Sequence, residues 1–257
     1  MSQFRISTAH PRILTVCPGA NQGLGFITAR ILAASSKTNN HIILGSHSET
    51  KGSGSLSSLI TSGCPAENLS TVQLDVTSNS SLSAAFSTIS KTHSRLDVLI
   101  NNAGIAPKIP SVREQYRQAM ETNLIGAVTT TDTFIPLLRK SSSPRLLYIS
   151  SEFGSLTIAA DPNIRDFNVD VVAYRANKAA MNMIFVQQSK SLGKKGIRVW
   201  AVNPGWPATN LSGNAEAAAK RGAMDPEGGA RVIVDAVEGR RDGDVEKRVD
   251  ENGVLDW

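Results

Sequence analysis

At 257 residues, with 40% apolar and 5% aromatic side chains, the chain is long enough to bury a sizeable core in one large α/β domain or two small ones. A formal charge of +5 is mild for this length, and Lys and Arg are scattered apart from Lys194-Lys195 and Arg240-Arg241, which argues against nucleic-acid binding. There is no run of about 18 uncharged apolar residues to span a membrane, Met1 to Arg12 lacks the apolar centre of a signal peptide, and Cys17 and Cys64 are too few for a disulfide framework or a metal cluster, so a reduced, cytoplasmic setting is expected.

Short apolar runs alternate with helix-like segments, the pattern of βαβ units around a parallel sheet. Ile13 to Cys17 reads as the first strand, running through a glycine-rich turn into a helix that ends near Ala34. His41 to Gly45 is the second strand, followed by a polar loop over Ser48–Ser55 and a short helix near Leu56–Thr61. Thr71 to Leu74 is the third strand and Ser78 to Lys91 its helix, with Ser78 as the N-cap. Leu96 to Ile100 is the fourth strand, and Ser111 to Arg139 one long or broken helix that Pro136 can bend. Arg145 to Ile149 is the fifth strand; Val172 to Leu192 has the apolar spacing of a helix; Ile197 to Val202 is the sixth strand. Two further helical segments, Asn214–Arg221 and Pro226–Glu238, precede a tail from Val245 that can add a last strand. Without repeats or linker-length polar tracts, these elements predict a single domain over residues 1–257: a doubly wound, mostly parallel sheet of about seven strands with helices on both faces.

Gly19, Gly23 and Gly25 stand where the first strand turns into its helix. Glycines there allow a tight turn, close approach of backbone N–H groups to a pyrophosphate, and close helix packing. The spacing differs from the commoner G-x-G-x-x-G, so position after the first strand carries the inference. An acid at the end of the second strand would bond the ribose 2′-hydroxyl of NAD. Here the residues are Gly45-Ser46-His47-Ser48, with no acid before Glu49, which favours NADP(H) over NAD(H) although no Arg or Lys stands there either. Ser46 and His47 are the candidates for a phosphate contact, or plain polar loop residues.

Tyr174 and Lys178 are i and i+4 on one face of a predicted helix. A nearby ammonium favours phenolate and would pull the tyrosine pKa down from about 10, suiting it to exchange a proton with an alcohol or carbonyl oxygen.

With the glycine turn, Asn101-Asn102-Ala103-Gly104 and the Tyr174/Lys178 pair in this order, the chain resembles the short-chain dehydrogenase/reductases, and among them the carbonyl-reductase-like members, over about Ile13 to Thr209. The resemblance implies that Tyr174 is the general acid/base, that Lys178 holds the nicotinamide ribose, that Ser151 hydrogen-bonds the substrate oxygen, and that Asn123 positions a water leading from Lys178 to solvent. It places Gly19, Asn21, Gln22, Gly23, Leu24 and Gly25 at the cofactor phosphates, Asp75 and Val76 at the adenine, Asn102, Ala103 and Gly104 on the adenine-ribose side, and Pro204, Gly205, Pro207 and Thr209 in the loop over the nicotinamide. The segment 206–223 would be a substrate lid. No metal is expected. The implied partner is a small carbonyl or alcohol, apolar or aromatic to judge from Trp206 and Leu211. Relatives form homodimers or homotetramers through the two long helices, and some with a long Ser-to-Tyr loop are monomers, so both states stay open.

Three departures from the family stand out. Pro18 replaces a Thr that ties the glycine turn to the fourth strand, so packing is expected to hold the turn. Pro207 replaces a residue whose N–H reaches the nicotinamide carboxamide. The stretch between Ser151 and Tyr174 is longer than in many members, and its Asp161, Arg165 and Asp166 are expected to border the substrate pocket. The fold also hosts epimerases, dehydratases and cyclases that show no net redox change, and an NADP-sensing binding protein would be a third class. The intact Ser/Tyr/Lys set counts against the sensor, in which it would be expected to have decayed.

Overall fold

A computed structural model describes residues 12–163 and 171–257. The chain runs β1 (Ile13–Pro18), α1 (Gly23–Ala33), β2 (Asn40–Ser46), α2 (Glu49–Thr61), β3 (Leu69–Gln73), α3 (Asn79–His93), β4 (Val98–Asn101), α4 (Val112–Met120), α5 (Gly126–Leu138), β5 (Arg145–Ile149), α6 (Leu156–Ala160), α7 (Val172–Gly193), β6 (Arg198–Val202), α8 (Ala215–Lys220), α9 (Pro226–Val237), β7 (Arg248–Asp250) and β8 (Gly253–Leu255). The strands form one eight-stranded sheet in the order β3-β2-β1-β4-β5-β6-β7-β8. Pairings are parallel except β7 with β8, where the tail supplies two strands rather than the one expected.

Both sheet faces are buried, so the strands read as continuous apolar runs. In β5, Leu146 and Tyr148 face one core layer and Leu147 and Ile149 the other. The first layer takes Leu82 and Ile89 of α3, Phe134 and Leu137 of α5, and Met181 and Phe185 of α7. The second takes Leu32 of α1, Leu59 of α2, and Val232 and Ile233 of α9. The chain changes direction across the sheet between β1 and β4, which opens a crevice at the carboxyl ends of those strands.

Three local expectations are revised. The Ser48–Ser55 loop is helical: Ser48 caps α2 by accepting from the Lys51 N–H, and only the low helix propensity of Gly52 and Gly54 hid it. Gly52 is required there, because a Cβ would stand 2.7 Å from Thr71 Oγ1 on β3. The long helix is broken by a π turn over Glu121–Ile125 rather than by Pro136, which α5 accommodates. The stretch after Ser151 contains α6, while Arg165 and Asp166 lie outside the described residues.

Candidate active site

The glycine turn is shaped by backbone conformation. Gly19 and Gly23 have φ of +74° and +57°, and a Cβ on Gly19 would meet Ala103 Cα at 2.9 Å. Gly25 lets α1 lie against β4, since a Cβ would stand 2.5 Å from Asn102 Nδ2. The tie that Pro18 was expected to abolish is present in another form: Asn102 Nδ2 donates to the Pro18 carbonyl at 3.0 Å, a bond that needs neither the hydroxyl nor the N–H that proline lacks. Asn102 therefore braces the turn in addition to bordering the crevice. Unlike α2 and α3, which Ser48 and Ser78 cap, α1 has no side-chain cap, and it has no acid in its first turn, so its N-terminal amides lack a side-chain acceptor. These features fit a pyrophosphate. Asn21 and Gln22 sit at the rim and Leu24 packs toward Gly229 of α9.

At the end of β2, the Ser46 hydroxyl is buried and donates to the Ser48 carbonyl at 2.8 Å, so it is already committed, whereas His47 is exposed. Sequence reading missed Lys51. It lines a groove of about 540 Å³ together with Asn21, Gln22, Phe26, Gly54, Ser55 and Ser58. Ser55 Oγ bonds both the Asn21 carbonyl (2.7 Å) and the Lys51 carbonyl (2.9 Å), fastening α2 to the glycine turn. Beyond β3, Asp75 Oδ1 accepts from Thr77 N and Oγ1 at 2.9 and 2.7 Å, and Val76 packs on Gly126 of α5.

The second half of the site is a set of polar side chains on α7 and the π turn. Asn123, fully buried, accepts from Ile105 N at 2.7 Å and donates to Ile105 O at 2.8 Å and to Asn177 Oδ1 at 3.1 Å. The extra residue of the π turn is what aims it inward. Its carboxamide thereby fixes the segment after Gly104 to α7, and Asn177 passes the link to the Ala173 carbonyl at 2.9 Å. Ser151, at the end of β5, accepts from Phe153 N at 3.2 Å and stands close enough to Tyr174 for its hydroxyl to work toward a lower phenol pKa. The Phe153 ring meets Tyr174 edge-on at 6.4 Å, and the Arg175 guanidinium covers Phe153 at 4.2 Å.

Charge in this half runs against expectation. Lys178 is 5% exposed, and its Nζ donates to the Ile149 carbonyl at 2.6 Å and lies 5.6 Å from the centre of the Tyr174 ring. Loss of water pushes the ammonium down to about 8. Tyr174 is pushed up to about 12, not down: burial outweighs the hydrogen bond from Ser151, and Lys178 is turned to a carbonyl rather than to the phenol. Sharing a helix face put the two side chains side by side but did not set where the ammonium points.

The loop after β6 closes the arrangement. Pro204 packs on Gly229, Gly205 has φ of +71°, and the buried Thr209 caps the short turn Asn210–Ser212. Pro207 offers no N–H, and the Ala208 N–H is spent on the Met224 carbonyl at 2.9 Å, so neither residue can donate to a carboxamide. Met224 N in turn donates to the Trp206 carbonyl at 3.0 Å, and Arg221 lies over the Trp206 ring at 5.5 Å. The segment 206–223 is thus pinned together at its two ends.

A doubly wound sheet with a glycine turn at its switch point and a Ser/Tyr/Lys cluster across the crevice defines a dinucleotide-dependent oxidoreductase. Comparison with known proteins agrees. The short chain dehydrogenase family model matches residues 14–220. The short-chain dehydrogenase/reductase tropE of Talaromyces stipitatus is 33% identical over 92% of this chain and 94% of its own. The short-chain dehydrogenase anuI of Penicillium roqueforti is 35% identical over 87% of each chain. Among solved structures, NADPH-bound carbonyl reductase from chicken fatty liver superposes with a TM-score of 0.79 at 25% identity, covering 96% of this chain and all of that one. The chain belongs to the short-chain dehydrogenase/reductase family, with a carbonyl-reductase-like fold, and its class uses a nicotinamide cofactor and small-molecule substrates. Among the described residues, no helix is long and apolar enough to cross a membrane, and no metal-binding cluster is present.

Proposed function

We propose that this protein is an NADP(H)-dependent reductase of a small apolar or aromatic carbonyl compound. The observation that carries the reading is the buried Lys178 with its Nζ 5.6 Å from the centre of the Tyr174 ring, and Tyr174 facing Ser151 at the end of β5. In the reducing direction the substrate oxygen must gain a proton, which a positioned phenol can give. The nicotinamide cofactor supplies the hydride when bound. The Ser151 hydroxyl steadies the substrate oxygen as negative charge grows on it, and Tyr174 Oη gives that oxygen its proton. Lys178, buried with its Nζ donating to the Ile149 carbonyl, would hold the nicotinamide ribose with its remaining N–H donors. Asn123, held by its bonds to Ile105 and Asn177, would position the water that leads from Lys178 to solvent.

Gly19, Asn21, Gln22, Gly23, Leu24 and Gly25 would hold the pyrophosphate, Asp75 and Val76 the adenine, Ala103 and Gly104 with Asn102 the adjoining ribose, and Pro204, Gly205, Pro207 and Thr209 the nicotinamide side. NADP(H) is favoured because no acid ends β2 and because Lys51 stands in the groove beside Asn21 and Gln22, supplying the cation absent from the strand end itself. The chicken carbonyl reductase, which carries NADPH, supports the same choice. Segment 206–223 would be the lid, with Trp206 and Leu211 giving it an apolar inner surface. The test is a panel of ketones, quinones and aldehydes with NADPH and with NADH, followed by absorbance at about 340 nm. Carbonyl-dependent NADPH oxidation is expected. Product formed without an absorbance change would place the chain with the non-redox members of its fold, and cofactor binding with no turnover would make it a sensor.

A further inference from the structure

One turn beyond Lys178 on the same face of α7, Asn182 is 6% exposed and belongs to none of the assignments above. Its carboxamide is used at both ends: Oδ1 accepts from Ser150 Oγ at 2.5 Å, and Nδ2 donates to the Gly154 carbonyl at 3.2 Å. These partners flank Ser151, one residue before it and three after. Inside that span the Ser151 hydroxyl accepts from Phe153 N, and the Gly154 N–H donates to the Ser151 carbonyl at 3.0 Å, so the turn behaves as one rigid unit. The turn reaches Asn182 only because residue 154 lacks a side chain. A Cβ there would stand 2.7 Å from Lys178 C, 2.8 Å from Lys178 O and 2.9 Å from Asn182 Nδ2. Residues 174, 178 and 182 thus form three successive rungs from α7 to the end of β5, meeting Ser151, the Ile149 carbonyl, and the Ser150–Gly154 pair.

We propose that Asn182 is a positioning residue: by bridging the Ser150 hydroxyl and the Gly154 carbonyl, it sets the direction of the Ser151 hydroxyl relative to Tyr174. An amide is the group the place requires, because it must accept from a hydroxyl and donate to a carbonyl within one planar unit. An aspartate offers no donor, and an aliphatic side chain offers neither group. The proposal rests on the carbonyl-reduction reading, in which Ser151 touches the substrate oxygen.

The experiment is a double-mutant cycle on whichever carbonyl the panel shows to be reduced fastest, with Ser151→Ala, Asn182→Ala and the double variant, and with NADPH affinity measured separately by fluorescence titration. Asn182→Ala is expected to lower kcat by about 10- to 100-fold, the scale of a small misplacement of a reacting group, with NADPH affinity unchanged. Added to Ser151→Ala, it should change kcat less than about 2-fold, because its target is gone. An equal loss on both backgrounds, no loss in the single variant, or a parallel loss of NADPH affinity would overturn the proposal, since each is what a merely structural amide predicts. If Asn182→Ala does not fold, Ser150→Ala removes one end of the bridge with little volume change, and the same non-additivity with Ser151→Ala is required of it. A Ser151→Ala enzyme with full activity, or a wild-type chain that reduces no carbonyl, would instead strike the underlying reading and take the proposal with it.

Discussion

The two ends of the parallel sheet are built on opposite principles. At the amino ends, charge is paired and hydrogen-bonded. Asp97, before β4, accepts from Leu14 N at 2.9 Å, from Arg95 Nε at 3.1 Å and from Ser141 Oγ at 2.5 Å, joining β1, β4 and the segment after α5. Asp242 takes both Arg145 and Arg198; burial alone would raise its pKa, but these guanidiniums hold it below the usual carboxylate range. At the carboxyl ends, Lys178 is buried with a carbonyl instead of a carboxylate, Tyr174 is held far from its ordinary pKa, and glycines take left-handed conformations. On the proposed function, one end would accumulate stability and the other give some up for a reactive arrangement, the usual relation between a scaffold and its site.

That contrast can be broken from either end. The largest effect is expected at Tyr174: Tyr174→Phe should cut turnover by about 10²- to 10⁴-fold while thermal unfolding and NADPH titration stay near wild type. An active Tyr174→Phe enzyme would remove the reactive end of the comparison altogether. Next comes Asp97→Ala, which leaves the Leu14 N–H and Ser141 hydroxyl without their acceptor and should destabilise the fold by about 2–4 kcal/mol in urea unfolding. A loss below about 0.5 kcal/mol, the range of ordinary surface substitutions, would show that the amino end is not the stabilising one.

Lys178→Met should do the reverse, raising stability near pH 7 by about 1–2 kcal/mol while activity is lost. The sign follows from linkage. The folded pKa of Lys178 lies below the unfolded value of 10.5, so the burial penalty is complete below about pH 8 and fades as pH rises toward 10.5. The advantage of the methionine variant should shrink across that window, and a gain independent of pH would assign it to packing instead. The smallest effect is expected of Lys51→Glu, which should weaken NADPH binding by about 10-fold, the equivalent of about 1.4 kcal/mol, and leave NADH unchanged. Equal weakening of both cofactors in the fluorescence titration would dissociate Lys51 from phosphate selection.

Much of this was legible in the sequence because it depends on local chain chemistry. The strand runs, the glycine turn, the Ser78 cap and the Tyr174/Lys178 spacing each follow from a few consecutive residues, and the order of the motifs pointed to the family. The helix over residues 49–61 was obscured by its own glycines, one of which is there to let α2 lie against Thr71. Lys51 was out of reach for the same reason: a side chain in a segment read as loop has no predictable direction.

The sequence by itself determined the doubly wound class and supplied the candidate residues of the site, since periodicity and backbone permissiveness are properties of neighbouring residues. The tertiary structure alone decided how those groups are tuned. Pairwise proximity on a helix predicted a lowered Tyr174 pKa, but the surrounding packing excludes water, which raises it, and Lys178 is spent on the Ile149 carbonyl instead of opposing that rise. The brace from Asn102 to Pro18, the link from Asn123 to Asn177 and the bridge of Asn182 across Ser151 all join residues distant in sequence. Their partners and directions exist only once the elements have packed, because a hydrogen bond is set by geometry within a few tenths of an ångström and by the burial that makes it matter.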